Sequence, residues 1–183
     1  THKIEHQIPH LEKDGYLHEV ERNFQLAKVI IDKKYSQKEL RPKLYFDEKD
    51  HEVIASIQLS TPYIVMAPAS VWYTKQWNID KWKELIELIP ENINIYLIGA
   101  PSDQDDIYPL AKNANVTSLC GKLSLRQSAL LMQKALRVFA NDSAPLHLAS
   151  SVNAKTTALF CSTVPEFGYG PLSEDSKLIQ LDP

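Results

Sequence analysis

Four polar residues suited to binding a phosphate lie between residues 140 and 147. The segment ANDSAPLH follows the apolar run RVFA and leads into a predicted helix that begins near Ala144. The free amide groups and the dipole at a helix start attract anions. Ser143 adds a hydroxyl donor beside Asp142, and His147 follows about one turn later. The segment therefore predicts a phosphate site; the alternative is that Asp142 or Ser143 only caps the helix and His147 packs.

A second polar segment, PASVWYTKQW at residues 68–77, also follows an apolar run. Ser70, Thr74 and Lys75 could hold a diphosphate, with Lys75 neutralising the charge that grows on a leaving phosphate. The glycine patterns of a Walker loop and of a dinucleotide fingerprint are both absent. The alternative for Lys75 is a solvated surface lysine.

A third segment, GAPSDQDD at residues 99–106, places acids after the second strong strand. Asp103 is the candidate for accepting hydrogen bonds from a ribose diol, although acids in a first helical turn commonly face solvent. Trp72, Trp77 and Trp82 could stack on a base. The spacing of Trp82 favours a core position, and Trp77 is also expected to pack.

Alternating strands and helices must position these three segments. Strands are predicted at residues 63–67, 93–98, 116–119, 137–140 and 156–160, and helices at 79–89, 102–111, 124–135 and 144–151. Ser124 and Gln127 have the spacing of a capping box. Such repeats predict an α/β fold with a doubly wound parallel sheet, which binds ligands at the carboxyl ends of its strands. Before them we expect an irregular polar arm (1–15), a helix (18–31), a short strand (41–46) and a weak helix (50–59).

Composition narrows the class of protein. The 183 residues carry a net charge of −3, which argues against a nucleic-acid partner because phosphate neutralisation needs a basic surface. No apolar run approaches the roughly 20 residues of a membrane span, and the first residues lack the apolar core of a signal peptide. Cys120 and Cys161 are far apart in sequence, as expected of reduced thiols in a cytoplasmic protein.

Longer strings resemble glycosyltransferase family 9, the heptosyltransferases of the lipopolysaccharide inner core. APASVWYTKQWNIDKWKELI is similar to the family pattern P-G-S-x-W-x-T-K-R-W-P and its helix. GKLSLRQSALLMQKALRVFANDSAPLHLASSVNAKTTALF resembles the block that runs from G-K-[TS]-S-L-x-E into N-D-S-G-P-M-H-L-A. TVPEFGYGPLSED and LHEVERN also match, so the resemblance spans nearly the whole chain in the same order.

The resemblance implies a GT-B enzyme with two Rossmann-like domains, of which residues 16–183 would be the C-terminal, donor-binding one. It implies inverting transfer of heptose from ADP-heptose, with no metal required and Mg²⁺ at most an aid. Lys75 and Asp142 are then the catalytic candidates. The predicted donor-binding residues are Ser70, Thr74, Lys75, Asp103, Asp142, Ser143, Ala144 and His147.

Ala69, Ala144 and Cys161 replace family glycines. A positive φ at any of them would cost about 1 kcal/mol or more. These changes leave two alternatives open, namely a GT-B domain that uses a UDP- or GDP-sugar and a nucleotide-binding module without catalysis.

The family's N-terminal domain, with its acceptor groove and general base, has no counterpart in this sequence. We therefore expect an excised or truncated chain that is inactive alone. Its acceptor would be a lipid-linked oligosaccharide held by the absent domain, at the inner membrane in the intact enzyme.

Overall fold

The computed structural model describes residues 11–12, 15–28, 30–31 and 34–180. The amino-terminal elements are β1 (Leu11–Glu12), β2 (Gly15–Tyr16), α1 (Glu19–Ala27), α2 (Gln37–Leu40) and α3 (Glu48–Ser56). The sheet and its helices follow as β3 (Tyr63–Ala67), α4 (Ile79–Glu87), β4 (Asn94–Leu97), α5 (Gln104–Ile107), β5 (Val116–Ser118), α6 (Leu125–Gln133), β6 (Val138–Asn141), α7 (Ala144–Ser151), β7 (Thr156–Phe160) and β8 (Ser176–Gln180). Every predicted strand from residue 63 onward is present within two residues of its expected bounds.

Six strands form one parallel sheet in the order β5-β4-β3-β6-β7-β8. The chain leaves β3 toward β4 and β5 on one side, then returns to build β6, β7 and β8 on the other. β3 and β6 are therefore neighbours whose following loops diverge, which makes the crevice between them the topological switch point of a doubly wound sheet. This topology confirms the predicted fold class.

Alternate residues of the central strands supply two hydrophobic cores. Val65 belongs to a cluster with α6 and α7, whereas its neighbour Met66 belongs to a cluster with α4 and α5. Side chains on successive strand residues point to opposite faces, so a fully apolar strand implies helices on both sides. Trp82 on α4 is fully buried in the second cluster, as its spacing predicted.

Two predictions about elements were wrong, and one strand was missed. Residues 41–46 form no strand, and no described strand pairs with them. The helix expected at 102–111 is broken into α5 between two 3₁₀ segments, Pro101–Asp103 and Tyr108–Lys112. Pro109 explains the second break because it lacks the N–H that an α-helix needs. β8 was not predicted, and it pairs with β7 although all five of its residues are exposed.

The amino-terminal part differs in two further respects. Leu11–Glu12 pairs antiparallel with Gly15–Tyr16, so the arm predicted to be irregular contains a small ladder; residues 1–10 and 13–14 lie outside the described residues. The first helix ends at Ala27 rather than Ile31. Among the helices that the structure describes, none combines the length and the apolar character needed to cross a membrane.

Candidate functional site

A pocket of about 470 Å³ opens at the carboxyl edge of the sheet. Its lining comes from the residues that follow four neighbouring strands, β3, β4, β5 and β6, so it occupies the switch point. This is the location at which parallel α/β sheets bind ligands.

The pocket has an apolar and a polar part. The larger apolar side chains are Val71, Ile98, Pro101, Leu123, Leu125, Pro145 and Leu148. The polar ones are Ser70, Ser102, Asp103, Ser124, Ser128 and Ser143. An apolar wall with a few polar groups suits an aromatic base joined to a hydrogen-bonding sugar and phosphate.

The start of α7 forms part of the polar side. Ser143 is the N-cap residue, yet its side chain makes no capping hydrogen bond and instead lies 3.3 Å from the Asn141 carbonyl oxygen. The alternative in which Ser143 serves as a side-chain cap is therefore wrong. Pro145 has no N–H, and the Leu146 amide bonds to the Ser143 carbonyl. Ala144 lies at the pocket wall, and no side chain among the described residues caps its amide.

Lys75 and Asp142 form an ion pair beside this helix start. Lys75 Nζ donates to Asp142 Oδ2 over 2.7 Å. The side chain of Asp142 is only 6% exposed, whereas that of Lys75 is 27% exposed. The alternative of Lys75 as a freely solvated lysine is therefore wrong.

Thr163 completes this cluster and was not singled out from the sequence. Its hydroxyl donates to the same Asp142 Oδ2, also over 2.7 Å. Thr163 lies in the loop after β7, so three different loops meet at one carboxylate oxygen. Two signals in the sequence pointed to it: a hydroxyl soon after a strand end, and its place at the start of the family-like string TVPEFGYGPLSED.

Asn141 fixes the position of the loop that carries Lys75. Its buried side chain donates to the Pro68 carbonyl over 2.7 Å and accepts from the Trp77 amide at 3.2 Å. The two bonds tie the last residue of β6 to both ends of the segment 68–77. Gln76 closes the same segment by donating to the Ser70 carbonyl over 2.7 Å.

His147 lies one turn into α7 and is half-buried near this cluster. Burial lowers the pKa of His147 below its ordinary value; the Asp142 carboxylate opposes this shift, while His18 and Lys75 add to it. The ring of Tyr169 lies 6.5 Å from that of His147 in an edge-on arrangement. At neutral pH His147 is thus an uncharged hydrogen-bonding group rather than a second cation.

Two of the predicted site residues, Asp103 and Thr74, do not offer a free side chain to this pocket. Asp103 lines the pocket, but its Oδ2 accepts from the Ala100 amide over 2.7 Å and its Oδ1 lies 3.3 Å from the Ser102 hydroxyl. Its carboxylate thus already stabilises the turn after β4. Thr74 is exposed and faces a separate cavity of about 470 Å³ together with Tyr73, Asn78 and Asp106.

The structure also places the tryptophans and the residues that stand where the family has glycine. Trp77 packs edge-on against Trp82 with ring centroids 5.3 Å apart, and Trp72 is 68% exposed. The non-glycine residues with positive φ in the described ranges are Gln58 and Asn153. Ala69, Ala144 and Cys161 therefore carry no left-handed strain where the family has glycine. Within the same ranges, no three His, Cys, Asp or Glu side chains come together as a metal site requires.

Comparison with known proteins identifies what this geometry resembles. Residues 4–182 match the model of glycosyltransferase family 9 (heptosyltransferase). Lipopolysaccharide heptosyltransferase 2 of Salmonella typhimurium is 27% identical over 186 residues, which cover 93% of this chain and 53% of that protein.

Solved structures agree with the sequence match. E. coli ADP-heptose lps heptosyltransferase II is 26% identical with a TM-score of 0.76, covering 94% of this chain and 56% of that one. E. coli heptosyltransferase WaaC, solved with ADP, shares the fold at 24% identity and a TM-score of 0.69, covering 97% and 54%. The chain thus spans about half the length of these relatives.

Proposed function

Because this chain belongs to glycosyltransferase family 9, we propose that it binds the nucleotide-sugar donor of a heptosyl transfer, with ADP-heptose as the leading donor. One observation carries the proposal: Ser143 and Ala144 at the start of α7 line the switch-point pocket, and Asp142, which pairs with Lys75, directly precedes them in the chain. A helix start and a lysine together favour a diphosphate, and the apolar wall offers a surface for the base.

The proposed chemistry is an inverting substitution at the anomeric carbon. The acceptor hydroxyl oxygen forms the new bond to this carbon, and the bond to the donor diphosphate breaks. Lys75 and the first turn of α7 stabilise the negative charge on the departing nucleoside diphosphate. Ser70, Thr74, Asp103, Asp142, Ser143, Ala144 and His147 are the remaining proposed donor-site residues.

The acceptor and its general base are proposed to lie on another domain. Residues 16–183 would form the donor-binding half of a GT-B enzyme, consistent with the half-length coverage of the relatives. A base must lie within hydrogen-bond reach of the acceptor hydroxyl, and that hydroxyl would enter from the open side of the pocket. The proposed acceptor is the lipopolysaccharide core, and the proposed place of reaction is the cytoplasmic face of the inner membrane.

Calorimetric titration of this chain with ADP, UDP and GDP tests the donor assignment. We expect ADP to bind best and Lys75→Ala to weaken it about 10- to 100-fold, the range for a lost hydrogen bond to a charged group. Lys81→Ala is the matched control, because Lys81 is an exposed lysine on α4 that pairs with Glu84. Its affinity for ADP should equal that of the wild type.

Other outcomes have distinct meanings. Tighter binding of UDP or GDP would leave the family membership intact and replace the donor. Equal losses in Lys75→Ala and Lys81→Ala would contradict the proposed diphosphate contact. Absence of binding at millimolar nucleotide would contradict donor binding by this chain on its own.

A further inference from the structure

Two donors of different character share one oxygen of the buried Asp142 carboxylate. Lys75 Nζ and Thr163 Oγ1 each lie 2.7 Å from Oδ2. Lys75 is a long, partly exposed cation on the 3₁₀ turn after β3, whereas Thr163 is a short neutral residue in the loop after β7. The two contacts therefore come from elements that can change independently.

The two donors differ in what they can reach. Lys75 has four flexible side-chain bonds and a side chain that is 27% exposed, so an incoming diphosphate would compete with Asp142 for its ammonium group. The side chain of Asp142 is only 6% exposed. An ionised carboxylate left without a partner in such surroundings costs several kcal/mol or takes up a proton.

We propose that Thr163 is a positioning residue that keeps the Asp142 carboxylate ionised and in place while Lys75 turns from it to the diphosphate of the bound nucleotide. This inference rests on the proposed function for the identity of the ligand. Thr163 touches neither the donor nor the reacting atoms in this scheme; it acts through Asp142.

His147, a titratable neighbour of Asp142, does not replace Thr163 in this role because no hydrogen bond joins His147 to Asp142 among the described residues. His147 approaches from α7, and burial holds its pKa below the ordinary value, so its ring is neutral near pH 7. His18 and Lys75 act on His147 in the same direction. Once Lys75 has turned away, Thr163 is the hydrogen-bond donor that remains on Asp142 Oδ2 among the described residues.

A ligand-free comparison tests the central claim. Lys75→Ala mimics the departure of the lysine, and Lys75→Ala/Thr163→Val removes both donors. We expect the double variant to lose stability relative to Lys75→Ala as pH rises from 5 to 8, by about 5- to 100-fold in the folding constant. The sign follows because a buried carboxylate without a hydrogen-bond donor destabilises the folded state when it is ionised and less when it is protonated.

Matched variants make this comparison specific. Lys75→Ala/Thr163→Ser keeps a hydroxyl and should restore the shallow pH profile of Lys75→Ala. Lys75→Ala/Thr117→Val makes the same Thr-to-Val change at an exposed position of β5 and should also match Lys75→Ala. Each comparison is repeated with His147→Gln added to both chains, because the charge of Asp142 acts on the pKa of His147. If the stability of Lys75→Ala/Thr163→Val changed with pH in the same way as that of Lys75→Ala, the proposal would be overturned.

Titration with ADP tests the same claim during binding. We expect Thr163→Val to weaken ADP about 5- to 10-fold, the effect of one lost hydrogen bond, and Thr163→Ser to recover wild-type affinity. Titrations in two buffers of different ionisation enthalpy should show extra proton uptake for Thr163→Val but not for Thr163→Ser. Equal proton uptake in all three chains would overturn the proposal. If the wild type binds no ADP, the proposed function fails, and the ligand-free pH comparison still decides the role of Thr163.

Discussion

Replacing Gly168 by alanine should undo the contact between the loop after β7 and the start of α1. Gly168 is buried and has a φ of 87°, in the left-handed region. Its carbonyl accepts from the Glu19 amide over 2.8 Å, and the nearby His18 Nε2 lies 2.9 Å from the Gly170 carbonyl oxygen. The loop that carries Thr163 and Tyr169 is therefore held by this contact.

The size of the effect follows from three contributions. An alanine Cβ would lie 2.6 Å from the Leu17 carbonyl oxygen, so the loop must move away. The left-handed backbone costs alanine about 1–2 kcal/mol. Losing the Glu19–Gly168 hydrogen bond adds about 1 kcal/mol, and the reduced entropy of the unfolded chain returns about 0.4–1 kcal/mol. We expect a net destabilisation of about 2 kcal/mol.

Gly170→Ala provides the matched control in the same loop. A Cβ at Gly170 meets nothing within 4 Å, and its φ is outside the left-handed region. This variant should be neutral or more stable by about 0.4–1 kcal/mol.

Urea denaturation of the wild type and both variants measures the difference. Hydrogen exchange of the Glu19 amide reports the local contact and should accelerate only in Gly168→Ala. Equal stabilities of the two variants, or unchanged protection of the Glu19 amide, would refute the reasoning.

Three further predictions concern the core, the site and its pH dependence. Trp82→Ala should cost about 3–5 kcal/mol in urea denaturation, whereas Trp72→Ala should change stability by less than about 0.5 kcal/mol, because Trp82 is fully buried and Trp72 is 68% exposed. Gly121→Ala should weaken ADP binding and destabilise the chain by about 1–2 kcal/mol, since Gly121 lines the pocket with a φ of 71° and a Cβ would lie 3.0 Å from Pro101 Cα. Because the pKa of His147 is lowered in the folded state, the unfolded chain binds more protons as pH falls below about 6.5, so stability should decline there. His147→Gln should show a smaller decline over the same pH range, and an unchanged decline would contradict the assigned cause.

The order of strands and helices was accessible from the sequence because each carries a local signal. Buried parallel strands appear as short apolar runs, and the helices between them show caps such as Ser124 with Gln127, whose reciprocal hydrogen bonds are present. β8 gave no such signal because its five exposed residues lack the apolar run of a buried strand. The 41–46 segment alternates like a strand, yet pairing depends on a neighbouring strand, and the described part of the chain does not place one beside it.

The candidate site was also predictable from the sequence only in part. Strand-end segments are expected to converge in any doubly wound parallel sheet, so Ser70, Asp103 and Ser143 could be predicted to meet at one pocket. The hydrogen bond from Thr163 to Asp142 could not, because the two are 21 positions apart and Thr163 lies in the loop after β7, which has no regular pattern that sets its path.

What the sequence determined by itself was the periodicity of the elements, the family resemblance and the residue types at each strand end. These properties depend on neighbours in the chain. The tertiary structure alone decided which donor reaches which oxygen: that Lys75 and Thr163 share Asp142 Oδ2, that Asn141 ties both ends of the segment 68–77, and that Asp103 bonds within its own turn. Hydrogen bonds form only over a few tenths of an ångström around 2.9 Å, so such pairings depend on how the loops pack in three dimensions.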